Sequence, residues 1–143
     1  FAAQFRALGA ELLAYPDGDP SSAAQLAEVC RGTDVVLQAT SAGMHGTQGG
    51  DALAALVPFE SLPAHALAYD LVYNPRQTPF LRAAAARGLE ARHGLGMLVR
   101  QASLAMELWL GKRPSFETLY HAADTALGRP NAPSQRAGAK EAP

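Results

Sequence analysis

The segment GLGMLVRQASLAMELWLG (residues 94–111) has the pattern of a glycine-rich turn followed by an amphipathic helix. Gly94 and Gly96 lack a Cβ atom, so the backbone there can approach a ligand or another element closely. From Leu95 onward, residues of like polarity recur at the helical period and form stripes. The apolar stripe contains Leu98, Ala102, Ala105 and Trp109, and the polar stripe contains Arg100, Ser103 and Glu107. This periodicity predicts a helix that begins near Leu95.

A third stripe of the same helix combines apolar side chains with an amide, and it contains Met97, Gln101, Leu104 and Leu108. If this face is buried, the amide of Gln101 needs hydrogen-bonding partners. A polar ligand is one candidate partner, and a neighbouring backbone group is the other. The spacing alone favours the backbone group.

Upstream of this helix, DVVLQAT (34–40) is the clearest strand candidate. Its continuous run of Val35, Val36 and Leu37 predicts burial on both faces, as in a parallel sheet that is covered by helices. Further strands are predicted at 11–15, 66–73 and 89–93.

Helical patterns lie between the predicted strands. Ser21 or Ser22 is predicted to cap a helix that runs to about Arg31. Thr78 and Pro79 fit the N-cap and the first position of another helix. A last helix is predicted to start at Pro114 and Ser115 and to carry Phe116, Leu119, Tyr120, Ala123 and Leu127 on one side. The alternation of strands and helices predicts a doubly wound α/β domain with a parallel sheet.

In an open parallel sheet, ligands bind beyond the carboxyl ends of the strands. Three segments are therefore expected to lie near each other: 39–41, 71–73 and 94–97. Thr40 and Ser41 offer hydroxyls that suit ribose and phosphate oxygens, although small hydroxyl residues also commonly terminate strands.

Two larger side chains in these segments have alternative interpretations. Tyr73 ends a predicted buried strand, and its hydroxyl needs a partner that either a ligand or the backbone can provide. Met97 can form an apolar wall against a flat ring, or it can fill a gap in the core.

Length and composition exclude several classes of protein. A chain of 143 residues can bury one ordinary core, and a formal charge of −1 gives no basic surface for nucleic acid. The single cysteine, Cys30, cannot form an internal disulfide, so we expect a small buried side chain in a reducing cytoplasm. No apolar run is long enough to span a membrane. His45, His65 and His121 have no partner at metal-ligand spacing, so no metal is implied.

Three motifs in this sequence together resemble the shikimate dehydrogenase family: DLVYNPRQTPFL (70–81), HGLGMLVRQASLAMELWLG (93–111) and ATSAGM (39–44). The resemblance covers roughly 1–127. It implies a Rossmann-like NADP-binding domain that is incomplete at its N-terminus and ends in a helical segment. Residues 128–143, which are rich in Pro, Ala, Gly and charge, are expected to form a disordered tail.

The resemblance also implies roles for individual residues. The cofactor NADP would be contacted by Ala39, Thr40, Ser41, Leu71, Gly94 and Met97. Among these, Met97 matches the methionine that packs against the nicotinamide ring. The substrate, shikimate or 3-dehydroshikimate, would be contacted by Tyr73 and Gln101. Two positions depart from the family pattern, because Gln38 stands where the family usually has Asn and His93 where it usually has Asp.

The family's catalytic lysine and aspartate and its glycine-rich phosphate loop have no counterpart in this sequence. We therefore expect a C-terminal piece of a longer enzyme that is inactive by itself, with a trimmed chain as the competing explanation. The resemblance leaves a homodimer of the intact protein open. An NAD-dependent quinate/shikimate dehydrogenase and a non-catalytic Rossmann-like regulatory or scaffold module are the alternative functions.

Overall fold

The computed structural model describes residues 7–10, 15 and 19–128. The chain divides into two compact units, Phe1–Gly94 and Leu95–Pro143. The elements of the first unit are α1 (Pro20–Arg31), β1 (Val35–Gln38), α2 (Gly50–Leu56), a 3-10 turn (Phe59–Ser61), β2 (Leu67–Asp70), α3 (Pro79–Ala86) and β3 (Glu90–His93). The second unit contains α4 (Leu95–Leu110) and α5 (Phe116–Gly128).

The three strands of the first unit form a parallel sheet in the order β1-β2-β3. Asp70, the last residue of β2, lies opposite Gln38 on β1 and His93 on β3. The carboxyl ends of all three strands therefore meet at one edge of the sheet. The predicted α/β class with a parallel sheet and C-terminal helices is confirmed.

Strand β1 is buried on one face and not on both. Val35 and Leu37 are 53% and 55% exposed, whereas Val36 packs against the core and Gln38 is buried. Successive side chains of a strand point to opposite faces, so only the Val36 face meets the core. The prediction of burial on both faces was wrong for this strand.

The core of the first unit is formed by buried residues from helices, strands and the 3-10 turn, and it includes Cys30, Phe59, Leu62, Ala66, Ala68, Phe80, Leu81, Ala84 and Leu89. The rings of Phe59 and Phe80 lie 5.3 Å apart between centroids and are tilted by 58°. Cys30 is a small buried residue, as predicted, and burial raises the pKa of its thiol. Aromatic and alanine side chains thus form much of the core that packs with the sheet.

The helix caps partly follow the predictions. Helix α1 begins two or three residues earlier than expected, because Asp19 is its N-cap and accepts a hydrogen bond from Ser21 N at 2.8 Å. The assignment of the cap to Ser21 or Ser22 was therefore wrong, whereas the end at Arg31 is correct. For α3 the prediction is confirmed, since the Thr78 hydroxyl accepts a hydrogen bond from Leu81 N at 3.3 Å.

In the second unit, α4 and α5 pack against each other. The Arg100 guanidinium lies 4.5 Å from the centroid of the Phe116 ring. Ser103, which the periodicity assigned to the polar stripe, is buried, and its hydroxyl donates to Pro114 O at 3.3 Å. Gly111 ends α4 with a φ of +67°, and its amide donates to Glu107 O. All five residues predicted to share one side of α5 are partly buried.

Some predictions fall outside the described residues. They are most of the strand at 11–15 and the disordered tail, apart from Gly128, which ends α5. Within the described ranges, no helix has the length and apolar character needed to cross a membrane.

Candidate functional site

A cleft of about 490 Å³ opens at the carboxyl ends of β1 and β2. Five residues predicted for the site line it, namely Ala39, Thr40, Ser41, Leu71 and Tyr73. The other lining residues are Val72, which lies in the predicted segment 71–73, and Met44, His45 and Asn74, which lie outside the predicted segments. Met44, Val72 and Asn74 belong to the motifs ATSAGM and DLVYNP. These motifs could therefore have identified them as residues of the cleft. The structure therefore brings two of the three predicted segments together in one cleft.

The carboxylate of Asp70 organises the backbone behind this cleft. Asp70 is fully buried, and its Oδ1 accepts hydrogen bonds from Gln38 Nε2 at 3.1 Å and from Val72 N at 2.9 Å. Its Oδ2 accepts a hydrogen bond from the Thr78 hydroxyl at 2.6 Å. One side chain thus connects the end of β1, the turn after β2 and the start of α3.

Gln38 extends this network into the next loop. Its Nε2 also donates to Ala42 O at 3.2 Å, and its Oε1 accepts a hydrogen bond from Thr40 N. The glutamine that departs from the family pattern therefore satisfies its own amide and fixes the backbone of residues 40–42.

The two loops that border the cleft are also joined directly. His45 N donates to Asn74 O at 2.9 Å. The Thr47 hydroxyl lies 2.7 Å from Ser41 O and 2.8 Å from Met44 O. These contacts fold the glycine-rich loop back on itself. The side chains of Ser41, His45 and Thr47 therefore extend from a turn that is held by hydrogen bonds.

Gly94 is in direct contact with the backbone of Leu71. A Cβ atom at position 94 would lie 2.1 Å from Leu71 O and 2.7 Å from Leu71 C. The Gly94 amide also donates to Val72 O at 3.1 Å. Only glycine fits this close approach. Gly94 and Leu71, which are both predicted to contact NADP, therefore lie side by side.

Tyr73 lies beyond the strand and not within it. Strand β2 ends at Asp70, three residues before the predicted end, because the Asp70 side chain bonds to Val72 N and turns the backbone. Tyr73 is 36% exposed and lines the cleft. The interpretation of Tyr73 as the end of a buried strand was wrong, and its side chain is accessible to a ligand.

Met97 and Gln101 belong to the second unit, where they lie one turn apart on the same face of α4. Met97 is partly buried and Gln101 is exposed. Further along this face, Leu104 is exposed and Leu108 is 83% exposed. The condition under which the amide of Gln101 would need buried partners is therefore not met, because Gln101 is exposed.

A second, larger cavity of about 610 Å³ lies on the α3 side of the first unit. Its basic lining residues are Arg76, Arg82 and His93. Arg82 already donates to Gln77 O at 3.0 Å and lies 3.8 Å from Asp51. Since this cavity contains none of the predicted ligand residues, the smaller cleft at the strand ends is the better candidate site.

No group of three or more His, Cys, Asp or Glu side chains suited to a metal ion occurs among the described residues. His65 instead lies 3.0 Å from Asp34 in an exposed pair.

Parts of this chain are similar to known proteins. Residues 94–123 match the family model described as the shikimate 5'-dehydrogenase C-terminal domain. The chain matches the C-terminal, NAD(P)-binding region of the shikimate dehydrogenase family. The matched segment begins at Gly94 and includes both Met97 and Gln101.

Individual shikimate dehydrogenases and related enzymes extend the match to most of the chain. A shikimate dehydrogenase (NADP(+)) of Microcystis aeruginosa is 45% identical over 80 residues, which are 56% of this chain and 28% of that protein. The crystal structure of shikimate 5-dehydrogenase from Thermus thermophilus in complex with NADP(H) and shikimate has a TM-score of 0.58 and 38% identity, covering 70% of this chain and 36% of that one. Quinate dehydrogenase from Corynebacterium glutamicum in complex with NAD has a TM-score of 0.59 and 28% identity, covering 72% of this chain and 35% of that one. The chain thus spans about a third of the length of these relatives.

Proposed function

We propose that this chain is the cofactor-binding part of a cytoplasmic, NADP-dependent shikimate dehydrogenase. In this role it serves the reversible reduction of 3-dehydroshikimate to shikimate in the synthesis of chorismate and aromatic amino acids. We expect the 143-residue chain to be inactive by itself, because the resemblance assigns none of its residues to the family's catalytic lysine. The observation that carries the proposal is the cleft at the strand ends, where five residues predicted for the site meet.

The residues of this cleft fit a nicotinamide nucleotide. Its volume of about 490 Å³ lies within the range of roughly 300–1,000 Å³ that is usual for small-molecule sites. Thr40 and Ser41 supply hydroxyls for ribose and phosphate oxygens, and Leu71 and Val72 supply apolar surface for a ring. This mixture of many apolar contacts and a few polar groups is typical of cofactor sites.

When bound, NADP+ accepts a hydride from the carbon whose hydroxyl is oxidised, and that hydroxyl also loses a proton. The chain's own residues bind and orient the reactants. Gly94 keeps the backbone of Leu71 in place without a side chain between them. Met97 supplies the apolar surface for the nicotinamide ring.

Tyr73 and Gln101 are the proposed substrate contacts. An amide can both donate and accept hydrogen bonds, and a phenol can do the same, so both suit the hydroxyls of shikimate. Their exposure supports this role, because neither side chain is enclosed by the protein.

The first test measures NADPH formation from shikimate and NADP+ with the complete gene product. Replacing Gln101 by Ala is expected to weaken shikimate binding by about 1–3 kcal/mol, because a polar partner of the ligand is lost. NADP+ binding should stay the same, and calorimetry can measure both affinities. Gln48→Ala, which changes an exposed glutamine of the loop, is the matched control. An equal loss for both ligands would indicate misfolding, and no loss for either would remove Gln101 from the site.

A second candidate is an NAD-dependent quinate/shikimate dehydrogenase, which the similarity to the NAD complex of quinate dehydrogenase supports. Assays that combine each substrate with each cofactor separate the two candidates. Turnover with quinate and NAD+ above that with shikimate and NADP+ would favour the second candidate. No turnover in any combination, together with no nucleotide binding, would favour a non-catalytic module.

A further inference from the structure

The buried carboxylate of Asp70 has no part in the proposed ligand contacts, although its bonds to Gln38 and Val72 lead to the two segments that border the cleft. Its partners are Gln38 Nε2, Val72 N and the Thr78 hydroxyl, at 2.6–3.1 Å. Val72 lines the cleft itself. Gln38 does not line it, but it bonds to both Thr40 N and Ala42 O.

The charge of Asp70 determines which way the Gln38 amide points. An ionised carboxylate only accepts hydrogen bonds, so the NH2 group of Gln38 must face it. The amide oxygen then faces Thr40 N, where it accepts a hydrogen bond. If the amide were reversed, its oxygen would face the carboxylate and its NH2 group would face another N–H donor. The orientation of one buried amide therefore fixes the loop that carries Thr40 and Ser41.

We infer that Asp70 is a positioning residue for the nicotinamide nucleotide, acting through Gln38 on residues 40–42 and through Val72 on the segment after β2. The inference rests on the proposed function, because it concerns the same cleft. Asp70 does not touch the ligand. It sets the spacing between the two loops that do.

The test replaces Gln38 by Glu in the complete gene product and measures the dissociation constant of NADP+ between about pH 5 and about pH 8. The introduced carboxyl can still accept the bond from Thr40 N, but its second oxygen faces the Asp70 carboxylate and Ala42 O. A buried carboxyl beside a like charge has a raised pKa, so the protonated form, which can donate to Asp70, prevails at low pH. Affinity should therefore be retained at low pH and lost as the pH rises through the raised pKa.

The expected size is a dissociation constant about tenfold above that of the wild type near pH 8, falling to within about twofold near pH 5. The charged and titratable groups on the adjoining segments include Glu90, Arg92 and His93 on β3, His45 in the loop, Tyr69 and Tyr73 on and after β2, and Arg76 and Arg82 ahead of and on α3. These groups are present in both proteins. The ratio of the variant's dissociation constant to that of the wild type at each pH therefore reports the effect of the introduced carboxyl alone.

Two further variants decide the outcome. Gln48→Glu places the same change on an exposed position of the loop and should bind like the wild type at every pH. Adding Asp70→Asn to Gln38→Glu removes the repelling charge, so the ratio should no longer rise with pH. Wild-type affinity of Gln38→Glu at every pH, or an unchanged rise after Asp70→Asn, would overturn the inference. A wild type that does not bind NADP+ would instead overturn the proposed function.

Discussion

The cleft of the first unit and the exposed face of α4 carry residues from different motifs, 39–44 and 70–81 in the cleft and 93–111 on α4, and they are also built differently. Around the cleft, Asp70 and Gln38 are buried, and each bonds to several backbone groups. On α4, Met97 and Gln101 are placed by the helical period, and Gln101 is exposed. The first region is held by tertiary hydrogen bonds, whereas the second is held by its own helix.

This difference predicts which mutations should lower the stability of the fold and which should weaken only the binding of a ligand. Removing a buried polar partner leaves other buried groups unsatisfied, which costs more than removing an exposed side chain. Changes behind the cleft should therefore act through the fold, and changes on the α4 face should leave the fold intact.

The largest contrast is expected between two glycines that are two residues apart. Gly94→Ala should lower the free energy of unfolding by about 3 kcal/mol, because the new Cβ would lie 2.1 Å from Leu71 O. Gly96→Ala should raise it by up to about 1 kcal/mol, since a Cβ there meets no atom within 4 Å and alanine favours helix. Urea denaturation followed by circular dichroism measures both. Equal effects of the two substitutions on the free energy of unfolding would contradict the difference between the two positions.

A smaller contrast is expected between two helix caps, one in each unit. Thr78→Ala should destabilise α3 by about 2 kcal/mol, because the cap bond to Leu81 N and the bond to Asp70 are both lost. Ser115→Ala should destabilise α5 by less than about 1 kcal/mol, since this exposed hydroxyl accepts only from Thr118 N and donates to Glu117. Amide hydrogen exchange in α3 and α5 reports each effect locally. A larger loss at Ser115 than at Thr78 would contradict the assigned role of burial.

The smallest effect concerns two exposed carboxylates at helix N-termini. The Ser21 amide lowers the pKa of Asp19, and the Glu117 amide together with the Ser115 hydroxyl lowers the pKa of Glu117. A lowered native pKa means that stability is present above the ordinary carboxyl range and is lost as the pH falls through the lowered value. Carboxyl chemical shifts from NMR titration should place both groups below ordinary values. Ser115→Ala should raise the pKa of Glu117 and leave that of Asp19 unchanged, and a shift of both would contradict the local cause.

Much of the fold could be predicted because its signals are local. The cap at Thr78, the end of α1 at Arg31 and the start of α4 near Leu95 depend on residues within one turn. The cap of α1 was misassigned because Asp19 and Ser21 are both good capping residues, and Pro20 at the first helical position favours Asp19. The candidate residues of the cleft could be named because the ends of parallel strands meet at one edge.

The sequence by itself determined the α/β class, the order of strands and helices, and the motifs that match the shikimate dehydrogenase family. Tertiary structure alone decided that Val35 and Leu37 are exposed, because exposure depends on what packs against each face of β1. It also decided that Gln38 reaches the Asp70 carboxylate across 32 positions of sequence. Such contacts have no local pattern, since they depend on strands that pair only after the chain has folded.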